Sequence, residues 1–556
     1  MPKTLLLCLG LVAGELPWSE LSLTVDLETS VSSDHATLVR VRVVNRGFRT
    51  WQGRDLRFEV RALDGGVVVA RQRGRFGLSL PPHGMLETLV GFHGRYARFE
   101  VVPVSSRGSD SKRRRRDSEG RSSACLTIDE MKVLVVGGGG REHALCSALR
   151  RSPAVREIYA APGNPGIAEI ADCVPVGAGD IVELADLAEK LRIDLTVVGP
   201  ELALSLGIVD EFSKRQLPIF GPTRLAAQIE TSKSFAKEFF RRHGIPTASG
   251  LTCSSAADAK RAIDHFKFPA VIKADGLAAG KGVFTVDSKQ DAERTLRLFF
   301  EERVFGDAGD RVIVEEFLEG QEASFLAVCD GETASPLPTA RDYKKVFDGE
   351  RGPNTGGMGG HSPAGVLDSA ASSRILKEII WPTLRGLAAE HRPFRGVLYA
   401  GLMMTESGPK VLEFNARFGD PETQVILPRV KSDVAEVLLA ATEGRLEEFP
   451  ALEVLSEICV GVVLCSGGYP GHFEKGFPIT GLGDAARVPG VQIFHAGTAR
   501  RGERLVTAGG RILVVTAMAP SMSEAASRAY DAAEKIQFEG KHFRKDIGQT
   551  YRPSRV

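Results

Sequence analysis

From Met131 onward, short apolar runs ending in glycine or proline alternate with segments of helical period, and this alternation limits the possible folds more than any other feature. KVLVVGGGG, EIYAAPG and LTVVGPE read as strands, while REHALCSALRRS, ELADLAEKLR and LGIVDEFSKRQ read as helices. Strands joined through helices run parallel, with helices covering both faces of the sheet. The spacing therefore predicts a doubly wound α/β domain over residues 131–232, its ligand crevice at the carboxyl ends of the strands.

The 556 residues are 43% hydrophobic, enough for several cores. Lys plus Arg number 71 against 70 Asp plus Glu, a net charge of +1, so nothing global favours nucleic acid and any anion site must be local. The eight cysteines show no C-x-x-C and no metal-ligand spacing, which fits reduced thiols in a cytoplasmic protein. No apolar run reaches membrane-spanning length, and MPKTLLLCLGLVAG, with a poor cleavage signal, reads as a strand or unstructured leader. Before Met131, LSLTVDLET, ATLVRVRVVNRG, LRFEVRAL, GGVVVARQRG and YARFEVVPV alternate in part between turn clusters, predicting a β-sandwich extension over 1–104. Residues 105–130, with SSRGSDSKRRRRDSEGRSS, lack apolar anchors and predict a disordered basic linker; a solvated linker is preferred to a nucleic-acid contact of Arg113–Arg116.

Four stretches carry chemistry. The turn Gly137–Gly140 fails as a dinucleotide motif, because Glu142 stands where the third glycine belongs and EIYAAPG ends without an acidic ribose ligand. What remains is a helix N-terminus and close backbone that one phosphate could approach, or simply a tight turn. Lys233 opens the helix SKSFAKEFFRRHG, and the strand FPAVIKADG carries Lys273 into Gly276, Gly280, Lys281 and Gly282. That spacing is short of a P-loop and has Gly282 in place of the metal-binding hydroxyl, so a mobile glycine flap with lysine counter-charges fits better. In VIVEEFLEGQEAS, the backbone around Glu315, Glu316, Phe317 and Leu318 could read an adenine edge and Glu322 could accept ribose hydroxyls. Finally, KVLEFNARFGDPETQ (410–424), read as a strand, puts Leu412 and Phe414 on one face and Glu413, Asn415 and then Arg417 on the other, before a polar turn from Gly419 to Glu422. A carboxylate beside an amide oxygen suits Mg²⁺, which takes few protein oxygens; a polar edge strand is the plainer alternative.

Taken in this order, the lysines, flap, EEFLEGQE and LEFNAR resemble the ATP-grasp fold, and Met131 to about Tyr551 resembles the phosphoribosylamine-glycine ligase (glycinamide ribonucleotide synthetase) family. The resemblance rests on GGREHAL, APGNPG, VVGPE, FGPT, KADGLAAGKGV, GPNTGGMG, LEFNARFGDPETQ, SGGYPG, HAGT, TAGGR and FRKDIG. Arg341 and Tyr343 stand where that family usually has Gln and His, Ala203 replaces a usual Pro, and residues 1–130 have no counterpart. It implies an ATP-grasp domain over 233–455, its flap at 249–318, and a small α+β C-terminal domain over 456–556.

The resemblance further implies a cytoplasmic monomer that ligates glycine to 5-phosphoribosylamine using ATP and Mg²⁺ (or Mn²⁺), through a glycyl phosphate, without nucleic acid or membrane. Arg417, Lys281 and Asp342 would be catalytic, and Glu413 and Asn415 would hold metal. ATP would meet Lys233, Lys273, Gly280, Lys281, Gly282, Glu315, Glu316, Leu318 and Glu322. The substrates would meet Gly138, Gly139, Gly140, Arg141, Glu142, Asn354, Gly356, Gly357, Arg417 and Asp420. Competing readings are another ATP-grasp ligase or carboxylase, which would lack GGREHAL and GPNTGGMG, and a nucleotide-binding scaffold, which has no chemical need for the metal pair.

Overall fold

The computed structural model describes residues 131–277 and 282–549, together with the backbone of strands lying between 5 and 103. The chain divides into two units, 1–129 and 130–556. In the first, strands including Leu23–Val31, Ala36–Asn45 and Met85–His93 pair antiparallel, as do Leu56–Asp64 and Val67–Phe76. The expected closure into a sandwich rests on side chains outside the described residues, as does the expected linker at 105–130.

The second unit opens with the predicted parallel sheet, ordered Asp172–Cys173, Val155–Pro162, Met131–Gly137, Leu195–Val198, Ile219–Phe220. Met131–Gly137 sits at its centre with Val133 to Val136 fully buried, the reason its apolar run is continuous rather than alternating. The helix expected over LGIVDEFSKRQ spans Ile208–Lys214 and is preceded by a separate short helix, Glu201–Leu206, because Gly207 adopts a left-handed conformation (φ +89°) between them.

A four-stranded antiparallel sheet, Gly250–Cys253, Val312–Glu316, Ala270–Ala274 and Val283–Val286, forms the flap with helices Ala256–Ile263 and Lys289–Phe300. It has its own core of Ile263, Ile272, Leu296, Phe299 and Val314. A second sheet, Ala334–Pro336, Gln321–Asp330, Arg395–Thr405 and Gly408–Asn415, shares a core with the first domain through Phe325, Phe414, Phe239 and Phe212. The second sheet is thus continuous in its core with the parallel sheet, and the flap sheet packs around a core of its own. The C-terminal sheet holds Ile458–Cys465, Arg511–Ala519 and Val491–His495, and also recruits Gly359–Ser362 and Arg341–Asp342. The glycine-rich segment at 351–363 therefore ends as a strand of the C-terminal sheet. No helix among the described residues is long and apolar enough to cross a membrane.

Candidate active site

Strand Gly408–Asn415 departs from simple alternation. Glu413 pairs with Gly401 but Val411 with Leu402, leaving Leu412 in a bulge. Val411 and Phe414 therefore take the buried face, Leu412 is half-buried, and its carbonyl accepts from Lys273 Nζ at 3.1 Å. Glu413 and Asn415 keep the common face expected of them. Burial alone pushes the Glu413 carboxyl up, but Lys344, Lys233, Lys273 and Arg417 outweigh it and hold it below the ordinary carboxylate range. Asn415 Oδ1 accepts from Arg417 Nη2 at 3.1 Å. Arg417 also donates from Nη1 to the Phe418 carbonyl (3.1 Å) and lies 3.0 Å from Glu230 and 3.4 Å from Glu201.

The lysines are anchored individually. Lys273 Nζ pairs with Glu315 at 2.8 Å, and the other oxygen of Glu315 takes Lys237 at 2.7 Å, all three side chains being largely buried. Burial pushes Glu315 up; Lys273 and Lys237 reverse this and lower it. Lys233, first in a helix capped by Ser232, reaches the Gly276 carbonyl at 3.5 Å. Ala274 donates to the Gly282 carbonyl at 2.8 Å, closing the root of the glycine loop, whose Gly280 and Lys281 lie outside the described residues. Glu316 accepts from the Ser249 N–H at 2.8 Å and Leu318 is buried. Glu322 is ion-paired with Lys344 at 3.1 Å. Burial opposes charge on Lys344, but Glu322, Tyr399, Glu413 and Asp342 raise it well above its usual value.

The Gly137–Gly140 turn is drawn in around Glu142. Gly139 N–H donates to Glu142 Oε2 at 2.6 Å, and a Cβ on Gly139 would meet that oxygen at 2.8 Å. Glu142 also binds Arg141 Nε at 2.6 Å, and Arg141 in turn donates to the Phe418 carbonyl at 3.3 Å and lies 3.7 Å from Glu201. Arg417, Arg141 and Arg511 together overcome burial and lower the Glu201 carboxyl.

Asp420 accepts from Arg511 Nη2 at 2.8 Å and from Gln424 at 2.7 Å. Arg511 also donates to the Gly356 carbonyl, so the glycine-rich loop around Gly356 and the turn after the strand hang on one guanidinium. Gly357 adopts φ +109°, where a Cβ would strike Pro421 and come within 2.7 Å of Asp342 Oδ1. Asn354 donates to the Val283 carbonyl of the flap at 3.3 Å. The turn expected to be polar is buried at Glu422, which accepts from Ser324 at 3.1 Å and from Tyr399. Burial and neighbouring Glu422 push Asp342 well up, and its Oδ1 is buried without a hydrogen-bond partner.

Sequence reasoning missed Glu201, Glu230, Lys344, Arg511 and Glu422. Three of them lie in stretches already singled out, VVGPE, TAGGR and the turn ending at Glu422, and Lys344 directly follows Tyr343, but only the fold brings them to the strand end. Glu230 carries no local signal; its Oε2 accepts the N–H of Ala416, 186 positions away.

Three domain models of phosphoribosylglycinamide synthetase match in series: the N domain over 131–230, the ATP-grasp (A) domain over 231–423 and the C domain over 459–550. The phosphoribosylamine–glycine ligase of Caldanaerobacter subterraneus subsp. tengcongensis is 48% identical over 76% of this chain and all of its own length. The crystal structure of the Thermotoga maritima phosphoribosylamine–glycine ligase superposes with TM-score 0.65 and 36% identity, over 75% of this chain and 100% of that one. A biotin carboxylase from Campylobacter jejuni, in complex with an ATP analogue, shares the fold at 15% identity (TM-score 0.59, 76% of this chain and 94% of that one). With all three domains present in order around one convergent cluster of acids, lysines and arginines, the chain belongs to the phosphoribosylglycinamide synthetase family.

Proposed function

We propose that the chain joins glycine to 5-phosphoribosylamine, cleaving ATP to ADP and phosphate and releasing glycinamide ribonucleotide, a step of purine biosynthesis. The observation that carries this reading is Glu413, a carboxylate held ionised by four surrounding cations and engaged in no hydrogen bond or ion pair among the described residues. An ionised, uncommitted oxygen donor beside an amide fits a divalent cation shared with phosphate oxygens. Glu413 and Asn415 are the residues that would hold it, Mg²⁺ or Mn²⁺, and when bound it screens the phosphate charge and polarises the transferring phosphoryl.

A glycine carboxylate is a poor acyl donor until one of its oxygens carries the γ-phosphoryl of ATP. The amine of phosphoribosylamine then attacks the carbonyl carbon of glycyl phosphate, and phosphate leaves. Arg417 neutralises charge on the moving phosphoryl or the glycine carboxylate. Lys233, Lys273 and Lys281, with Gly280 and Gly282, counter and cradle the ATP phosphates, and Glu315 fixes Lys273. The chain from Glu316 to Leu318 meets adenine, and Glu322 meets the ribose. The amine substrate's phosphate belongs at Gly138–Gly140, where Arg141, Arg417 and Arg511 gather positive charge and Glu142 shapes the turn. Asn354, Gly356, Gly357 and Asp420 line the glycine side, and Asp342, with one unbonded oxygen, is the candidate to take the proton the amine sheds.

The working division is a substrate domain at 131–232, an ATP-grasp domain at 233–455 with its flap at 249–318, and a C-terminal domain at 456–556. The near-zero net charge gives no support for a nucleic-acid partner, and cysteines without C-x-x-C or metal-ligand spacing support a cytoplasmic enzyme. Incubated with ATP, Mg²⁺, glycine and phosphoribosylamine, the protein is expected to release ADP only when all four are present. ADP release that needs bicarbonate in place of glycine would point to a carboxylase instead.

A further inference from the structure

Glu230, on the short helix Gln228–Thr231, divides its two oxygens between a backbone and a side chain. Oε2 accepts the Ala416 N–H at 2.7 Å, and Oε1 lies 3.0 Å from Arg417 Nη2. The same Nη2 donates to Asn415 Oδ1 at 3.1 Å. One carboxylate thus holds both the chain immediately after Asn415 and the guanidinium that follows. The Glu230 side chain is only 6% exposed. A buried ion pair is weak support for stability, since well-packed apolar residues often do as well. Its distinguishing feature is geometric. An amide in this place has a single acceptor oxygen, so its NH₂ must face either the Ala416 N–H or the guanidinium, donor against donor. Glu201, by contrast, lies farther away, 3.4 Å from Arg417 Nε, holds no backbone beside the guanidinium and is 33% exposed, so it contributes charge more than aim.

We propose that Glu230 is a positioning residue for Arg417: by gripping the Ala416 N–H and the Arg417 guanidinium together, it fixes the guanidinium's aim relative to Asn415, so that positive charge meets the transferring phosphoryl without further rearrangement. This rests on the reading that Arg417 meets the phosphoryl or the glycine carboxylate. Groups pre-aimed at developing charge act in turnover more than in ground-state binding.

The test is a double-mutant cycle in the full chain, with steady-state rates for ATP and glycine and an unfolding midpoint for each variant. Glu230→Gln is expected to lower kcat by about tenfold or more while moving the KM for ATP by less than about threefold. Glu230→Asp, which keeps both acceptors, recovers a large part of that loss. In an Arg417→Lys background, Glu230→Gln costs less than about twofold further, because the aim it sets is already lost. An equal loss in both backgrounds, or full turnover in Glu230→Gln, overturns the proposal. If Glu230→Gln does not fold, Glu230→Asp passes through the same cycle and is judged by the same coupling. Failure of the underlying reading shows separately, as Arg417→Lys alone retaining the parental kcat.

Discussion

In the proposed reading Glu413 and Asn415 divide the work of holding a cation, and each can be removed without opening the core, since both are only half-buried beside the buried Phe414. Glu413→Gln and Asn415→Ala are each expected to keep the fold and lose about 10²-fold or more in turnover, partly restored by excess Mg²⁺ if the defect is affinity. Folded variants with near-parental turnover would remove the metal assignment. Glu322→Ala is expected to raise the KM for ATP by roughly three- to tenfold without abolishing turnover, as a ribose contact contributes mainly ground-state binding. Unchanged ATP affinity by titration calorimetry would contradict that role. The common face of Glu413 and Asn415 was legible because strand period two places alternate residues on one face. Lys344 was not, because its meaning comes from lying between Glu322 and Glu413, a relation created by sheet pairing. The bulge at Leu412 was equally hidden, since it depends on the partner strand's register.

The flap and the helix beneath it meet at Asp275. Its carboxylate takes the Ser234 N–H at 2.7 Å and hydroxyl at 2.8 Å, the Ser232 hydroxyl at 3.1 Å, and Arg311 at 3.0 Å. It therefore caps the helix that begins with Lys233 while standing at the root of the glycine loop. Asp275→Ala is expected to cost about 2–4 kcal/mol of stability and to raise the KM for ATP, because several buried donors lose their acceptor at once. Thermal unfolding and ATP titration check both. In the flap sheet, Glu315 is depressed by Lys273 and Lys237 despite burial. A lowered acid contributes stability that is fully present above its unfolded value, about 4.3, and is lost as pH falls through its folded value. Glu315→Gln should therefore flatten the acid limb of the unfolding midpoint against pH, and an unchanged limb would contradict the linkage. At the other end of the cleft, Gly139→Val must displace Glu142, and through it Arg141. It is expected to weaken the amine substrate while sparing ATP affinity; the reverse pattern would reassign that turn. The strand–helix order of this domain was legible from its apolar runs. The purpose of the glycines was not, because close packing against Glu142 and an open phosphate cradle write the same residues.

Every group that the proposed reading assigns to a ligand lies within 131–549, and the three matching domain models begin at 131. A chain beginning at Met131 is therefore expected to be soluble, to unfold cooperatively and to match the full chain in turnover; loss of activity with the fold retained would mean that residues 1–130 contribute to the site. The domain order was readable because each domain carries its own motifs. The crossing of the glycine-rich segment into the C-terminal sheet was not, since Gly359–Ser362 pairs with residues near Cys459–Val462, far along the chain. Across the whole molecule, parallel sheet, flap and C-terminal sheet converge on one reaction, the activation of a carboxylate by phosphoryl transfer. The most direct measurement follows the oxygen: glycine labelled with ¹⁸O in its carboxylate is turned over with ATP and freshly generated phosphoribosylamine, and the released phosphate is analysed by mass. A glycyl phosphate route predicts one ¹⁸O in phosphate for each amide formed. Unlabelled phosphate accompanying amide formation would contradict it, because the carboxylate oxygen would then have left by another path.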